Sequence, residues 1–235
     1  SFNYDKYDED LRDPVFNYGD DFSTDFVNMR RKERVPGAFF QYTGEFLDQR
    51  FIVMAGLRYD YHNIFGSIWT PRVHIMYKPD EFTNIKVTFG RGLRTANILA
   101  ENSYLLASAA NFYVNGELLG KNSGLLDDLK MEDSWNFGAN VNRKFEVFGR
   151  TLNINLDYYH TKFNDQVVVD NETAYNKVNF YNLDGKSYSN CYQVEVKYEL
   201  IPRLEATLAY RYNDVKSTIN GELKRTPLSS RYKGL

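Results

Sequence analysis

The sequence has almost no cysteine and no long apolar run. Its single cysteine, Cys191, cannot form an internal disulfide bond, and no metal-ligand spacing surrounds it. The longest apolar stretch, Phe51–Leu57, has the length of a strand, whereas a membrane-spanning helix needs about 18 apolar residues. The sequence therefore excludes a disulfide-bonded scaffold and predicts no helical membrane span.

An excess of charge of one sign is also absent. The chain has 29 lysines and arginines against 31 aspartates and glutamates, which gives a net charge of −2. A nucleic-acid-binding domain normally has a basic surface, and this balance does not indicate one. We therefore expect no nucleic-acid partner.

Aromatic residues, by contrast, are abundant in a chain that is polar on average. There are 19 tyrosines and 17 phenylalanines, the aromatic fraction is 16%, and the mean hydropathy is −0.55. Soluble domains seldom combine these values. Outer-membrane β-barrels do, because their aromatic side chains form girdles at the edges of the apolar band while the inner face stays wet.

Apolar and polar residues alternate with a period of two in many segments, as in a strand that has one face in an apolar medium. Between Leu152 and Tyr158 every second side chain is apolar, and each residue between them is Asn or Asp. The pattern predicts eight strands, at 35–46, 50–62, 68–78, 84–94, 132–146, 150–164, 186–200 and 203–216. Several exceed the roughly 9–11 residues that cross a bilayer, so we expect them to project beyond it.

The links between these strands alternate in length. The short ones are 47–49, 79–83, 147–149 and 201–202, and the longer ones are 63–67, 95–131, 165–185 and 217–226. An antiparallel up-and-down transmembrane β-barrel, with short periplasmic turns and long extracellular loops, produces this alternation. A Greek-key sandwich has no reason to do so.

Three segments depart from the strand pattern. Residues 95–110 place apolar side chains on one helical face, with Thr95 as N-cap, and predict one short helix in the longest loop; an irregular loop is the alternative. Residues 1–34 lack sustained alternation and are interpreted as a truncated strand end followed by an extracellular loop. Residues 226–235 are interpreted as the start of a further strand.

Four passages resemble the β-barrel of the TonB-dependent receptors. Residues 69–79 (WTPRVHIMYKP) are similar to the family's "SPRV…Y.P" strand, and residues 86–97 (KVTFGRGLRTAN) to its "YGxGFRAPxL" segment. Residues 130–138 (KMEDSWNFG) resemble "L.PE.S.N.E.G", and residues 182–186 (NLDGK) open a match to "N.G…G.E.E..Y". The order and spacing of these passages carry the resemblance over residues 35–235.

The resemblance implies a 22-stranded barrel in the outer membrane of a Gram-negative bacterium, closed by an N-terminal plug domain. Such receptors import scarce nutrients, among them ferric siderophores, haem, cobalamin and glycans, with energy that TonB transmits through the plug. Twenty-two strands need roughly 500 residues, so residues 35–235 are expected to form about a third of a barrel. The plug and the remaining strands are expected outside this sequence. The implied partners are TonB, outer-membrane lipid and a small-molecule or glycan ligand.

Candidate ligand- or plug-facing residues follow from the face of each strand. Arg58, Arg72 and Arg94 belong to the inward-facing set and are candidates to contact plug carboxylates or an anionic ligand, although wall residues are more often solvated or paired across strands. The loop aromatics Tyr104, Tyr113 and Tyr181 are candidates to contact a ligand. The whole inward set is Gln41, Thr43, Glu45, Arg58, Asp60, Arg72, His74, Lys86, Arg94, Asn153, Asn155, Asp157, Gln193, Glu195 and Lys197.

The sequence supplies no marked catalytic or metal site. The three histidines lie on different predicted strands without metal-ligand spacing, so we expect neither metal nor cofactor. Two alternatives to a transporter stay open. One is a soluble all-β carbohydrate-binding module that uses loop aromatics, including Phe112, Tyr175 and Phe180. The other is an outer-membrane barrel hydrolase that combines His160 with Ser187 or Ser189.

Overall fold

The alternating segments form strands in the computed structural model, which describes residues 2–15, 25–107, 110–119, 128–171, 176–201, 203–219, 221–225 and 231–234. The helical region of these residues comprises the α-helix α1 (Ile98–Glu101) and a 3₁₀ turn (Ser103–Ala107). The described strands are β1 (Phe2–Val15), β2 (Asp25–Phe46), β3 (Phe51–His62), β4 (Gly66–Tyr77), β5 (Thr83–Arg94), β6 (Asn111–Val114), β7 (Glu117–Leu118), β8 (Glu132–Val147), β9 (Arg150–Asp165), β10 (Val167–Asp170), β11 (Lys177–Asn182), β12 (Ser187–Ile201), β13 (Leu204–Ile219), β14 (Glu222–Arg225) and β15 (Tyr232–Gly234).

Most of these strands belong to one 11-stranded sheet in which successive strands pair antiparallel. The order is β1-β2-β3-β4-β5-β8-β9-β12-β13-β14, and β15 also pairs with β13. This order confirms the predicted up-and-down topology, and each of the eight predicted strands is present. Among the described residues no pairing joins β1 to β13, β14 or β15, so the sheet has two open edges.

A second, four-stranded sheet connects the two longest loops. Its order is β10-β11-β6-β7, in which β6 comes from one loop and β11 from the other. These two strands pair in parallel, with Val178 opposite Phe112 and Phe180 opposite Val114. We call this sheet together with α1 and the 3₁₀ turn the loop cap. The sequence predicted only loop and a short helix here.

The first part of the chain contains strands where a loop was expected. β1 pairs with β2 from Phe2 opposite Ala38 to Val15 opposite Asp25, so β2 begins ten residues before the predicted start at Val35. The strand expected at the start of residues 1–34 is present as β1, whereas the loop expected before Val35 is wrong for residues 25–34, which belong to β2. Strand pairing uses backbone hydrogen bonds, which form without side-chain alternation when neither face has to enter an apolar medium.

Tight turns lie at one end of the large sheet and the long links at the other. Leu47, Asp48 and Gln49 have φ angles of 54°, 52° and 65°, and the N–H of Arg50 donates to the carbonyl of Leu47 over 3.1 Å. Phe148 and Gly149 also have positive φ, which matches the right-handed twist of a two-residue hairpin. The predicted segregation of short and long links is confirmed.

The predicted helix is present but shorter than expected. α1 covers four residues, Ile98–Glu101, rather than 95–110. Thr95 is not its N-cap: the side chain of Asn97 accepts the N–H of Ala100 over 3.2 Å. Asn caps helices readily because its short side chain reaches the free N–H groups of the first turn.

Most of the buried hydrophobic residues of the described ranges form one cluster in and beside the loop cap, and Ile68 of β4 is an exception. Val114 and Phe180 are 0% exposed in this cluster, beside the buried Ile98 and Leu99 of α1. The large sheet is a single layer with long apolar side chains exposed on one face, including Phe40 at 70% and Leu208 at 68%. No helix among the described ranges has the length and apolarity to cross a membrane.

Candidate functional site

The two faces of the large sheet differ sharply in polarity along matched rows of paired residues. One row is largely polar: Glu45, Ile52, Met76, Lys86, Asn140, Asp157, Gln193 and Arg211. The adjacent row on the opposite face is wholly apolar or aromatic: Phe46, Phe51, Tyr77, Ile85, Val141, Leu156, Val194 and Tyr210. The residues predicted to face inward fall on the polar face.

Aromatic side chains of neighbouring strands pair at several places across the apolar face and form a belt there. Ring centroids of neighbouring strands lie 4.6 Å apart for Tyr59 and Trp69, 5.0 Å for Phe89 and Trp135, and 4.9 Å for Tyr158 and Tyr192. A second aromatic level near the tight turns contains Phe51. Phe51 and Tyr59 are eight residues apart on β3, so the two levels lie about 26 Å apart along the strand, or about 20 Å at a 40° tilt.

Cations alternate with aromatics just beyond this belt, on the loop side. One row of paired residues reads Arg91, Trp135, Lys162, Tyr188 and Lys216. The ammonium group of Lys216 lies 5.9 Å from the ring centroid of Tyr188. Aromatic and basic side chains are enriched at membrane–water interfaces, because their apolar parts and polar ends suit the two media.

Amide side chains connect β8 and β9 on the polar face. Asn140 donates to Asn155 over 2.8 Å and to Asp157 over 2.7 Å, and Asn155 donates to Asp157 over 2.6 Å. Asn142 donates to Asn153 over 2.9 Å. Asn153, Asn155 and Asp157, all predicted to face inward, therefore lie in one hydrogen-bonded ladder.

A cavity of about 270 Å³ opens on the polar face between β2, β3 and β4. We call it the wall pocket. Gly56 in its lining lies opposite Gln41 on one side and Arg72 on the other. Among the described residues, its lining comprises Phe39, Phe40, Gln41, Met54, Gly56, Leu57, Arg58, Thr70, Arg72 and His74.

Arg58 and Arg72, two of the candidate site residues, both line the wall pocket but differ in their partners. The Nε of Arg58 donates to Oδ2 of Asp60 over 2.7 Å, and its Nη2 donates to Oδ1 over 2.8 Å. Within the described part of the chain, the exposed guanidinium of Arg72 makes no hydrogen bond or ion pair. The wall pocket therefore retains one positive charge that its own residues do not neutralise.

Arg94, the third candidate arginine, holds the loop cap to the sheet. Its Nε donates to Glu132 on β8 over 2.8 Å, and its Nη1 donates to Glu101 of α1 over 3.0 Å. Glu101 also accepts the N–H of Asn97 over 3.2 Å. Arg94 lies on the polar face as predicted, but its guanidinium is occupied by two carboxylates.

The candidate aromatics of the loops lie at different depths in the loop cap. Tyr104 is 66% exposed, Tyr113 and Tyr181 are half-buried, and Lys177 lies 5.1 Å from the ring centroid of Tyr113. Burial raises the pKa of Tyr181, and the Asp170 carboxylate adds to this effect.

One of the other aromatics named for the carbohydrate-binding alternative, Phe180, is not accessible to a ligand. Phe180 is fully buried, and its ring stacks on that of Phe112 at 6.2 Å, so Phe180 is part of the core of the loop cap. Its inclusion among the loop-surface aromatics is wrong. Tyr175 lies outside the described residues.

The hydrolase arrangement that the sequence left open does not form. His160 lies opposite Asn190, and its Nδ1 is 2.7 Å from the Asn190 side-chain oxygen. Ser187 and Ser189 lie on the other face of the sheet, and the hydroxyl of Ser187 donates to Gln166 over 2.7 Å. The described residues also contain no cluster of His, Cys, Asp and Glu suited to a metal ion.

The glycines that shape the wall pocket were missed in the sequence. Gly56 and Gly90 flank Arg72 in one row, and Gly37 leaves space for the carboxylate of Asp60, which a Cβ at position 37 would overlap. The sequence did contain a signal for them, because a glycine within an alternating strand often marks a place where another group approaches the backbone closely. That two glycines flank Arg72 can be recognised only when the register of β3, β4 and β5 is known.

The family model described as "TonB dependent receptor-like, beta-barrel" matches residues 1–234 of the chain. None of the curated proteins matches it.

Several solved structures have a similar fold. The siderophore receptor PirA from Acinetobacter baumannii is 16% identical, with a TM-score of 0.64, over 94% of this chain and 34% of that one. A variant of the ferric enterobactin receptor PfeA from Pseudomonas aeruginosa is 16% identical, with a TM-score of 0.59, over 90% and 31%. The FrpB iron transporter from Neisseria meningitidis is 14% identical, with a TM-score of 0.57, over 80% and 26%. The chain thus spans about a third of the length of these proteins or less, and at these identities the likeness concerns the fold.

Proposed function

This chain belongs to the TonB-dependent receptor β-barrel family, and from that premise we propose that it forms part of the wall of an outer-membrane transporter for a scarce nutrient. The observation that carries the proposal is the two-faced single-layer sheet. Its apolar face has the aromatic levels and aliphatic band of a lipid-facing surface, and its polar face has the charged and amide side chains of a wet lumen. On this ground we place the receptor, as part of the proposal, in the outer membrane of a Gram-negative bacterium.

The open edges of the sheet support a larger closed barrel. Strand edges have unpaired N–H and C=O groups, and in lipid each such group costs several kcal/mol. β1 and the β13–β15 region therefore need further strands beside them in a membrane. We propose that these strands belong to the same receptor, together with a plug domain through which TonB acts.

The cargo that we propose first is a ferric siderophore, because the similar solved structures are titled as siderophore, ferric enterobactin and iron receptors or transporters. Haem, cobalamin and a glycan are the other classes. In this proposal Arg58 and Arg72 face the plug or the ligand in the lumen, and the exposed Tyr104 and the half-buried Tyr113 and Tyr181 contact the ligand on the loop side.

A soluble carbohydrate-binding module is disfavoured by the exposure of the apolar face. A sandwich of two sheets buries one face of each sheet, whereas Phe40, Leu57 and Leu208 are exposed on this sheet. An apolar surface of this extent is expected only where lipid or another protein covers it.

Uptake by cells tests the proposed function. The full-length receptor is expressed in a Gram-negative host that lacks its own siderophore receptors, with and without functional TonB. The probes are iron-55 enterobactin, haem, cyanocobalamin and a maltooligosaccharide. Accumulation of one probe only when both receptor and TonB are present supports transport, and outer-membrane fractionation of the receptor supports its localisation. A receptor found in the soluble fraction would contradict the proposal.

A further inference from the structure

The wall pocket has an uncompensated positive charge at one defined place. Arg58 is held by both oxygens of Asp60, and no Asp or Glu is among the residues that line the pocket. Arg72 supplies the remaining charge, since no ion pair engages its guanidinium within the described ranges. An anion that enters the pocket therefore meets Arg72 without having to displace a carboxylate.

The backbone around Arg72 gives its side chain room to move sideways. Gly56 lies opposite Arg72 on β3, and Gly90 lies opposite it on β5. A Cβ at Gly90 would lie 3.1 Å from the Cγ of Arg72, closer than most Cβ contacts, so glycine there admits the stem of the arginine. A Cβ at Gly56 would meet only the carbonyl oxygen of Phe40, at 3.7 Å. The stem of Arg72 therefore packs over Gly90, and the space above Gly56 on its other side is open.

The remaining lining selects the kind of anion. Gln41 lies in the same row as Gly56, and Thr70 and His74 lie two residues to either side of Arg72 on β4, so the pocket has hydrogen-bonding side chains near Arg72. Phe39 and Met54 add apolar surface. Two parallel N–H groups of a single guanidinium can donate to the two oxygens of a carboxylate. A dianionic phosphate is normally bound by several cations or by free backbone N–H groups. The backbone of β3 here pairs with β2 on one side and with β4 on the other.

We propose that the wall pocket binds a carboxylate attached to a small apolar body, with Arg72 as the two-point donor beside the open space over Gly56. The cavity of about 270 Å³ is close to the lower limit of ligand pockets, roughly 300 Å³. The carboxylate comes either from a free small molecule or from an Asp or Glu of a polypeptide segment inside the barrel. This inference rests on the proposed function in one respect, namely that the polar face is lumenal.

Binding of benzoate to the full-length receptor in detergent micelles tests the proposal, with neutral benzamide as the matched probe. Arg72→Gln removes the fork, and Gly56→Leu fills the pocket while keeping Arg72. Lys86→Gln is the control, because it removes a cation from the same face outside the pocket. We expect benzoate to bind wild type and the control equally, and to bind both pocket variants at least tenfold more weakly. Benzamide should bind wild type at least tenfold more weakly than benzoate does.

A second arm identifies a carboxylate supplied by polypeptide. If an internal Asp or Glu fills the pocket, benzoate does not bind wild type. Arg72→Gln then lowers the urea concentration that exposes the lumenal segment to protease, whereas Lys86→Gln does not. Absence of benzoate binding together with equal protease profiles for the two variants overturns the proposal. Heat-modifiable migration of each variant in gels reports the folded barrel, so failure of the pocket is distinguished from failure of the proposed function.

Discussion

Arg91 and Asp133 form a two-point ion pair between β5 and β8, with Nε–Oδ1 and Nη2–Oδ2 distances of 2.9 Å each. Both residues lie on the apolar face of the sheet, at the loop side of the aromatic belt, where Lys162 and Lys216 also lie. Asn164 also donates to Asp133 over 3.1 Å. Charged side chains are tolerated at this level because it lies where the apolar band gives way to headgroups and water.

Removal of one partner of this pair is expected to destabilise the barrel. Asp133→Ala leaves the Arg91 guanidinium, which is only 29% exposed, without its carboxylate, so we expect a loss of about 1–3 kcal/mol. The measurement is a urea-induced unfolding titration of the full-length barrel in lipid vesicles. Lys162→Ala, in the same row, should change stability by less than about 0.5 kcal/mol. Equal losses in the two variants would contradict the structural role of the pair.

The loop cap should unfold separately from the large sheet when its core is damaged. Phe180 is fully buried between the two long loops, so Phe180→Ala is expected to cost about 3–5 kcal/mol of local stability. Hydrogen exchange should accelerate in β6 and β11 while the amides of β9 and β12 keep their protection. Tyr104→Ala, at an exposed aromatic of the same region, should leave both unchanged. Loss of protection throughout the sheet would show that the two units are not separable.

The turn between β4 and β5 should respond to acid through Asp80. The Thr83 hydroxyl and the N–H of Phe82 donate to its carboxylate over 3.0 Å and 2.8 Å, and the hydrogen bond from Thr83 is the main cause that lowers its pKa from the ordinary 3.8. A lowered folded-state pKa stabilises the fold above pH 3.8, and this contribution is lost as the pH falls through the folded value.

The stability difference between wild type and Asp80→Ala tests this pH dependence. The free energy of unfolding of both proteins is measured from about pH 6 to about pH 2. The difference between them should be constant above about pH 5 and should become smaller below the ordinary pKa of Asp. A difference that grows on acidification would have the wrong sign.

The strands and their two faces could be predicted because both depend on local pattern. A period of two places every second side chain on one face, and tight turns such as Phe148-Gly149 fix the register of neighbouring strands. β9, for example, is observed at Arg150–Asp165 and was predicted at 150–164.

The loop cap and the wall pocket could not be predicted because they depend on contacts between distant segments. The parallel pairing of β6 with β11 joins residues more than sixty positions apart, and an aromatic such as Phe180 has the same local sequence signature whether it is buried or exposed. The space beside Arg72 arises from glycines on two different strands. The β1–β2 pairing was missed because its sequence does not alternate.

The central claim, that one face of the large sheet meets lipid and the other a wet lumen, is tested most directly with two adjacent residues of β13. Leu208 lies on the apolar face opposite Val196, and Thr207 lies on the polar face opposite Lys197; both are exposed. The free energy of unfolding of the full-length barrel in lipid vesicles is measured for Leu208→Arg and Thr207→Arg. We predict a loss of about 2–4 kcal/mol for Leu208→Arg and almost none for Thr207→Arg, because a cation near the bilayer midplane is costly and a cation in the lumen is solvated. Two equally neutral variants, as expected for a sheet with water on both faces, would contradict the account.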